Sequence, residues 1–355
     1  MRPVVATIDL AAIIHNYQLA KRCAPERQAF AVVKANAYGH GARRVVEALA
    51  KADGFAVACL EEAIEVREVN QTARIILLQG AFEAAEYLEA SRHTLDVVVQ
   101  GKEQLALLLN QTLAKPINVW LKFDTGMHRL GFNEIDMREA FAVLKTSANV
   151  REINLISHFA CADIRGHELT EDQVERYLSV LDLPFTHRTL ANSAAILTIP
   201  AAHMDWVRPG IMLYGASPFA DLSAKELGLK PAMTLTAQIT AIREVAAGES
   251  VGYGATWIAN QPSRIATVSC GYADGYPRHA PSGTPVVING ERAPLAGRVS
   301  MDMLGVDMTG LKATVGDRVE LWGAQLPIDE IANACGSIGY ELLSKVTARV
   351  PRQYD

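Results

Sequence analysis

The amino-acid sequence predicts an α/β protein: an N-terminal (β/α)8 barrel of the TIM type over residues 1–230, followed by a C-terminal, mainly β domain over residues 231–355. Three features carry this reading. Eight short apolar runs follow one another, and each of the first seven leads into a segment with apolar residues at helical spacing. The alternation stops at "KELGLKPAM" (Lys225–Met233), beyond which apolar and polar residues alternate between turn signals. Charged and hydroxyl side chains gather just after the apolar runs, where a barrel would bring them to one face.

In order along the chain, a first strand, Val4–Leu10, passes into a helix whose apolar positions Leu10, Ile13, Ile14 and Tyr17 share a face. The eight runs are Ala29–Val33, Phe55–Ala58, Ile75–Leu78, Val97–Val99, Ile117–Phe123, Ile153–His158, Thr189–Ala191 and Asp205–Val207. Helical segments between them include "GARRVVEALAKA", "LEEAIEVREVN" and "TEDQVERYLSVL". Such alternation implies parallel βα units, and eight of them suit a closed barrel. Strand counting alone leaves an open, doubly wound sheet as the alternative. Downstream, "TLTAQITAI", "RIATVSC", "TPVVI" and "DRVELW" are separated by Ala247-Gly248, Asn289-Gly290 and Val315-Gly316-Asp317, and read as strands joined by turns. Near the end, "PIDEIANACG" and "IGYELLSKV" read as short helices.

With 355 residues, 50% hydrophobic and 21% charged, the chain can bury a large core. Its net charge of −5 is spread without a basic stripe, so nucleic acid is not an expected partner. No run approaches the roughly 18 uninterrupted apolar residues of a membrane span. Asp9, His15 and Asn16 interrupt the N-terminal segment before a secretory signal can form, and a soluble, cytoplasmic protein is expected. Cys23, Cys59, Cys161, Cys270 and Cys335 are odd in number and include no C-x-x-C pair, which points to reduced thiols and to no structural metal.

The strand exits carry the chemistry. Lys34 ends the first run in "FAVVKANAYGHG"; Lys122 and Asp124 follow the fifth, with Arg129 in the next loop. His158 closes the sixth, Asn192 and Ser193 follow the seventh, and Arg208, Gly210 and Ile211 follow the eighth. The opposite, N-terminal strand ends show no such clustering. Loops after the seventh and eighth strands of a barrel commonly bind phosphate through backbone N–H groups. Ser193 offers a hydroxyl there, and Gly210 a close approach of the backbone. Alone, Asn192 and Ser193 would read as an ordinary helix cap, and Lys34 as a lysine reaching from the rim to water. Their convergence favours a phosphorylated ligand and covalent carbonyl chemistry: a lysine of depressed pKa forms a Schiff base with pyridoxal 5′-phosphate, whose phosphate needs such an anchor.

At this point the motifs resemble a known family. "VVKANAYGHG" closely resembles the cofactor-lysine motif of bacterial alanine racemases, fold-type III pyridoxal-phosphate enzymes. The likeness extends through "LKFDTGMHRLGF", "SHFACAD", "NSAAIL", "VRPGIMLYG", "VGYGATW", "GYADGYPR" and "GRVSMDM". Eight ordered motifs are far more specific than any one of them. The resemblance implies a barrel plus a β domain, pyridoxal phosphate, a homodimer with shared active sites, and interconversion of L- and D-alanine, which bacteria use as a peptidoglycan precursor.

The resemblance also implies roles. Racemisation removes a proton from one face of Cα and returns one to the other, so two acid/base groups are expected: Lys34 on one face, and Tyr253 of the partner subunit on the other. His158 and Arg208 would support the phenolate, and Arg208 would face the cofactor's pyridine nitrogen. A guanidinium only donates, so that nitrogen would stay unprotonated and the ring a weaker electron sink. Arg129 would contact the cofactor's phenolic oxygen and the substrate carboxylate, oriented by Lys122, which some members carry as N-carboxylysine. Tyr38, Ser193 and the N–H groups of Gly210 and Ile211 would hold the phosphate, with Asn192 beside them. Met301, Tyr272 and Asp302 of the partner would complete a small substrate pocket, favouring alanine over larger amino acids. Asp163, Arg278 and Arg298 would line the access corridor. One departure is visible: some members carry a tyrosine just before R-V-P-R, where this chain has Ala348, and Tyr340 is a possible substitute.

Three other readings fit the same residues less well. A pyridoxal-phosphate carrier of this barrel type would lack the β domain and "VGYGATW". A basic amino-acid decarboxylase would present a carboxylate to the pyridine nitrogen. A broad-specificity periplasmic racemase would carry a signal peptide.

Overall fold

A computed structural model describes residues 3–355. Its chain divides into two compact units, one comprising Asn16–Ala37 and Ala42–Leu213, the other the residues up to His15, Tyr38–Gly41 and Tyr214–Asp355.

The first unit is a closed barrel of eight parallel strands. A short strand, β1 (Val5–Ile8), precedes it in the chain; the barrel strands are β2 (Gln28–Val32), β3 (Gly54–Val57), β4 (Arg74–Leu77), β5 (Asp96–Val99), β6 (Ile117–Lys122), β7 (Val150–Ile156), β8 (Arg188–Thr189) and β9 (Trp206–Val207). Each pairs with the next, and β2 pairs with β9 to close the ring. The apolar runs become strands because a parallel sheet is covered on both faces. Phe55, Ile75, Ile76, Val97 and Val119, for example, are wholly buried. Helices Ala42–Ala48, Leu60–Val69, Ala84–Arg92, Lys102–Leu109, Glu134–Leu144, Glu168–Leu178 and Ser193–Thr198 follow the first seven barrel strands, as the periodicity predicts.

Charged residues do cluster at the N-terminal strand ends, contrary to expectation, but they are consumed by one another. Arg74 donates to Asp96 and to Glu152, and Asp96 also accepts from Asn118 and from the Trp120 indole. The Arg74 guanidinium lies 5.5 Å from the Trp120 ring and 5.6 Å from Trp206, and Phe30 stacks on Trp206 at 3.9 Å. Aromatic rings and paired charges therefore plug the barrel interior, leaving the opposite mouth for chemistry.

The second unit is mainly β. Its long strand β10 (Met233–Val245) carries register shifts and pairs with different strands along its two halves, at the centre of an eight-stranded sheet. A hairpin of β11 (Ser250–Val251) and β12 (Trp257–Ile258) follows; then β13 (Ser263–Val268), β14 (Pro285–Ile288), β15 (Glu291–Pro294), β16 (Leu304–Asp307), β17 (Arg318–Trp322) and β18 (Arg352–Tyr354). β13 pairs with the second half of β10 and with β16, while β17 pairs with its first half. The helices expected near the end are present as Ile328–Ala334 and Gly339–Lys345. β1 belongs to this sheet, antiparallel to β10 and parallel to β18, so the unit draws on both ends of the chain. No helix among the described residues is long and apolar enough to cross a membrane.

Candidate active site

Of the residues expected at the barrel mouth, Arg129, Arg208, Lys122 and His158 interact electrostatically with Lys34. Burial lowers its pKa, Arg129 and Arg208 lower it further, and Glu62 opposes them. Lys34 is followed by an unusual backbone: Ala35, Asn36, Ala37 and Tyr38 all lie in the left-handed region, with φ of 54°, 54°, 53° and 50°. A left-handed turn of residues bearing a Cβ costs about 1–2 kcal/mol per residue, so these four demand compensation. Ala37 N–H donates to the Val33 carbonyl, Ala42 N–H to Asn36 Oδ1 at 2.7 Å, and Ala35 N–H to Glu62 Oε1 at 2.7 Å. The other Glu62 oxygen accepts from Ala58 N–H at 2.8 Å. Gly39 ends the turn at φ 81°, where a Cβ would come within 2.3 Å of the Leu343 carbonyl oxygen. Gly39→Ala is therefore expected to cost about 2–3 kcal/mol of stability in denaturant titration.

Arg208 is buried behind the mouth. It donates to Thr189 Oγ1 at 2.7 Å, to the Ser157 carbonyl at 2.6 Å, to the Leu190 carbonyl at 3.1 Å and to His158 Nδ1 at 3.4 Å. Desolvation lowers its pKa to about 10, which leaves it charged near neutrality. Because a guanidinium cannot accept, His158 Nδ1 must be the acceptor, and its Nε2 carries the proton. Burial, then Arg208, Lys122, Arg129 and Lys34, hold His158 well below its ordinary pKa, so the ring is neutral.

Lys122, at the end of β6, has its pKa lowered to about 8 by burial and by Arg208, Arg129 and Lys34. The loop beyond it is pinned by Asp124 N–H to the Phe132 carbonyl and Phe132 N–H to the Lys122 carbonyl. Asp124 accepts from the Gly126 and His128 N–H groups and from His128 Nδ1. Although burial works against it, these donors hold its carboxyl below the usual value. The exposed Arg129 follows directly on this anchored segment.

At the exits of β8 and β9, Asn192 is the helix cap, its Oδ1 accepting from Ala195 N–H at 3.1 Å. Ser193 Oγ accepts from Gly210 N–H at 2.8 Å and Met212 N–H at 3.4 Å. Ile211 is buried alongside, and Asp163, after β7, is exposed.

The remaining expected residues belong to the other unit. Tyr38 is buried there, stacked on Tyr214 at 4.7 Å with the Tyr340 ring 5.9 Å away. Tyr253 sits between Gly252 and Gly254, with φ of 78° and 73°, and is 71% exposed. Tyr272 N–H donates to the Ser300 carbonyl and Ala273 N–H to the Met301 carbonyl, which ties the Tyr272 and Met301 loops together. Asp302 accepts from Arg349 at 2.7 Å. Arg278 and Arg298 line a cavity of about 440 Å³ with Thr256, His279 and Ser282.

Sequence reasoning missed Glu62, Thr189 and Ser157. An acid in the first turn of "LEEAIEVREVN" is usual for a helix start, and hydroxyls inside a strand end look like packing. The signal available for Glu62 was its place just after the second barrel strand.

The donor set suits a flat aldehyde bearing a phosphate. It offers an amine held below its ordinary pKa, a buried guanidinium that can only donate, and a hydroxyl gathered with the backbone N–H groups of Gly210 and Met212 at two adjacent strand exits. No cluster of three or more His, Cys, Asp or Glu able to hold a metal ion occurs among the described residues.

Comparison with known proteins agrees. Residues 8–218 match the family model described as "Alanine racemase, N-terminal domain", and residues 232–354 match "Alanine racemase, C-terminal domain". The chain is 69% identical to the biosynthetic alanine racemase of Pseudomonas aeruginosa, over 100% of this chain and 99% of that one. It is 68% identical to the alanine racemase of Stutzerimonas stutzeri at the same coverage. The crystal structure of the Pseudomonas aeruginosa enzyme superposes with a TM-score of 0.99, covering 100% of both chains. That of the alanine racemase from Bartonella henselae "with covalently bound pyridoxal phosphate" does so with a TM-score of 0.89 at 30% identity, again over 100% of both.

Proposed function

The chain belongs to the alanine racemase family and is an isomerase, and from that premise we propose that it interconverts L- and D-alanine with two bases, Lys34 of one protomer and Tyr253 of a partner subunit. The observation that carries the reading is the lowered pKa of Lys34 within a mouth of Arg129, Arg208, Lys122 and His158. An ordinary lysine is almost fully protonated near neutrality; burial and the Arg129 and Arg208 charges shift Lys34 towards the neutral form that a base requires.

Pyridoxal phosphate, when bound, supplies a conjugated ring that acidifies the Cα–H of an attached amino acid. Lys34 would hold it covalently, with Tyr38, Ser193, Gly210 and Ile211 around the phosphate and Asn192 supporting Ser193. Tyr340, packed on Tyr38, would supply the aromatic wall that Ala348 does not. Arg208 would serve the ring nitrogen, and since it stays charged and only donates, it would keep that nitrogen unprotonated. His158, neutral with its proton on Nε2, would donate to the Tyr253 oxygen and lower the cost of a phenolate. Arg129 would bind the substrate carboxylate.

The exposed apolar side chains of the β-rich unit support a homodimer. Tyr253, Tyr272, Met301 and Met303 are 71%, 36%, 53% and 48% exposed, and a second copy would cover them. In that dimer Tyr272, Met301 and Asp302 would close the partner's substrate pocket, and Asp163, Arg278 and Arg298 would line its corridor. We place the enzyme in the cytoplasm, supplying D-alanine for peptidoglycan precursors. Conversion of L-alanine followed by chiral chromatography, with sedimentation in the same buffer, tests the reading: a fully active monomer would refute the shared site.

Lys122 adds a separate expectation. An amine with a pKa of about 8 is partly neutral at physiological pH, and carbon dioxide adds only to the neutral form. Carbamylation would replace a cation by an anion among Lys34, Arg129 and Arg208, and would orient Arg129. The modification should increase as pH rises through 8. In ¹³C-bicarbonate the protein should show a carbamate resonance that is absent in Lys122→Ala; identical spectra would remove the idea.

A further inference from the structure

Glu62 has no role in the scheme so far, yet its carboxylate joins two strand exits. Oε1 accepts from Ala35 N–H at 2.7 Å, after β2, and Oε2 accepts from Ala58 N–H at 2.8 Å, after β3. The Ala35 N–H belongs to the peptide that leads out of Lys34. Fixing that peptide fixes the backbone torsion at Lys34, and so the direction in which its side chain leaves the strand. The same peptide opens the run of four left-handed residues, Ala35 to Tyr38, a conformation that persists only where surroundings over-determine it. The charged and titratable groups that interact electrostatically with the Lys34 amine are Arg129 and Lys122 from β6 and its loop, His158 after β7, Arg208 after β9 and Glu62 after β3. Glu62 is the acid in this set.

We propose that Glu62 is a positioning residue for Lys34: it clamps the left-handed turn to the neighbouring strand exit, and its negative charge keeps the amine from being displaced by the surrounding cations. The proposal deepens the functional reading and rests on Lys34 being the cofactor lysine and base. A side chain that touched only the fold would need hydrogen-bond acceptors at this place; it would not need charge.

Two variants separate these roles. Glu62→Gln keeps shape and one acceptor oxygen but loses the charge and one of the two N–H contacts; Glu62→Ala loses everything. In both, kcat for alanine is expected to fall about 10- to 100-fold, with KM changed by less than about threefold, as for a misplaced reacting group. The decisive readout uses the apoprotein. The rate at which an amine-reactive reagent labels Lys34, followed by peptide mass spectrometry across pH, should shift to lower pH by about one unit in each variant, since removing a nearby carboxylate favours the neutral amine. Amide exchange at Ala35 and Ala58 should accelerate at least about tenfold in Glu62→Ala. If the labelling curve of Glu62→Gln overlays that of the unmodified sequence, or if stability falls while the curve stays put, Glu62 is a structural acceptor only and the proposal is overturned. Racemisation surviving in Lys34→Ala would instead defeat the functional reading, and the labelling experiment does not depend on it.

Discussion

Lys34→Ala is expected to abolish alanine racemisation in both directions, by on the order of 10⁴-fold or more, together with the visible absorbance of the lysine-bound cofactor. Two functions go with one amine. On the proposed reading the covalent link to the cofactor is lost, and so is a base whose pKa is lowered by burial, Arg129 and Arg208. Lys34→Arg makes the point sharper. It restores reach and positive charge, but a guanidinium stays protonated near neutrality and neither forms the link nor accepts a proton, so its activity should match that of Lys34→Ala. A small primary amine added to Lys34→Ala should recover part of the activity without altering Lys34→Arg, where the cavity is filled. In the unmodified sequence, the acidic limb of kcat/KM should lie well below the pKa of an ordinary lysine, because a depressed pKa frees the base at lower pH. Activity of Lys34→Ala within about tenfold of the parent would remove Lys34 from the chemistry.

The barrel was legible because its strands are covered on both faces and so read as unbroken apolar runs. The starts of β4, β5 and β8 shifted by one residue for a definable reason. Arg74, Asp96 and Arg188 open β4, β5 and β8 with charges, and a pattern that begins at the first apolar residue steps over them. The place of β1 was not legible. Its partners are Met233–Thr236 and Arg352–Tyr354, more than 200 residues away, and no local pattern specifies such pairing.

The site divided along similar lines. Lys34, Lys122, His158, Ser193 and Arg208 were visible as polar groups at the ends of apolar runs. The left-handed turn was not, because "KANAY" contains no glycine and alanine ordinarily avoids that conformation. It is held from outside, by Glu62 and by the Asn36 contact with Ala42, and information of that kind is three-dimensional. Ser193 illustrates a milder case. Its helix-start position was readable, but its hydrogen bond to Gly210 N–H depends on β8 and β9 lying side by side.

Tyr253→Phe should separate proton removal from inversion. The equilibrium constant between enantiomers of alanine is unity, so any variant must lose kcat/KM equally for L-to-D and D-to-L conversion. We expect that common loss to be about 10²- to 10⁴-fold, the range for removing one acid/base group. The asymmetry lies one step earlier. With Tyr253 replaced by a ring that cannot carry a proton, Lys34 can still remove Cα–H from the enantiomer that presents it to the Lys34 face, and return a proton to that same face. In deuterium oxide, one enantiomer should therefore exchange its Cα–H at close to the parent rate without inverting, while the other should exchange as slowly as it racemises. Tyr253 is 71% exposed and its ring contributes little packing within its own chain, so loss of the hydroxyl should leave the protomer folded. The neutral His158, with Nε2 as its donor, fits a partner whose oxygen gains negative charge. If both enantiomers exchange equally fast in Tyr253→Phe, a single base serves both faces, and the division of labour between Lys34 and Tyr253 is wrong.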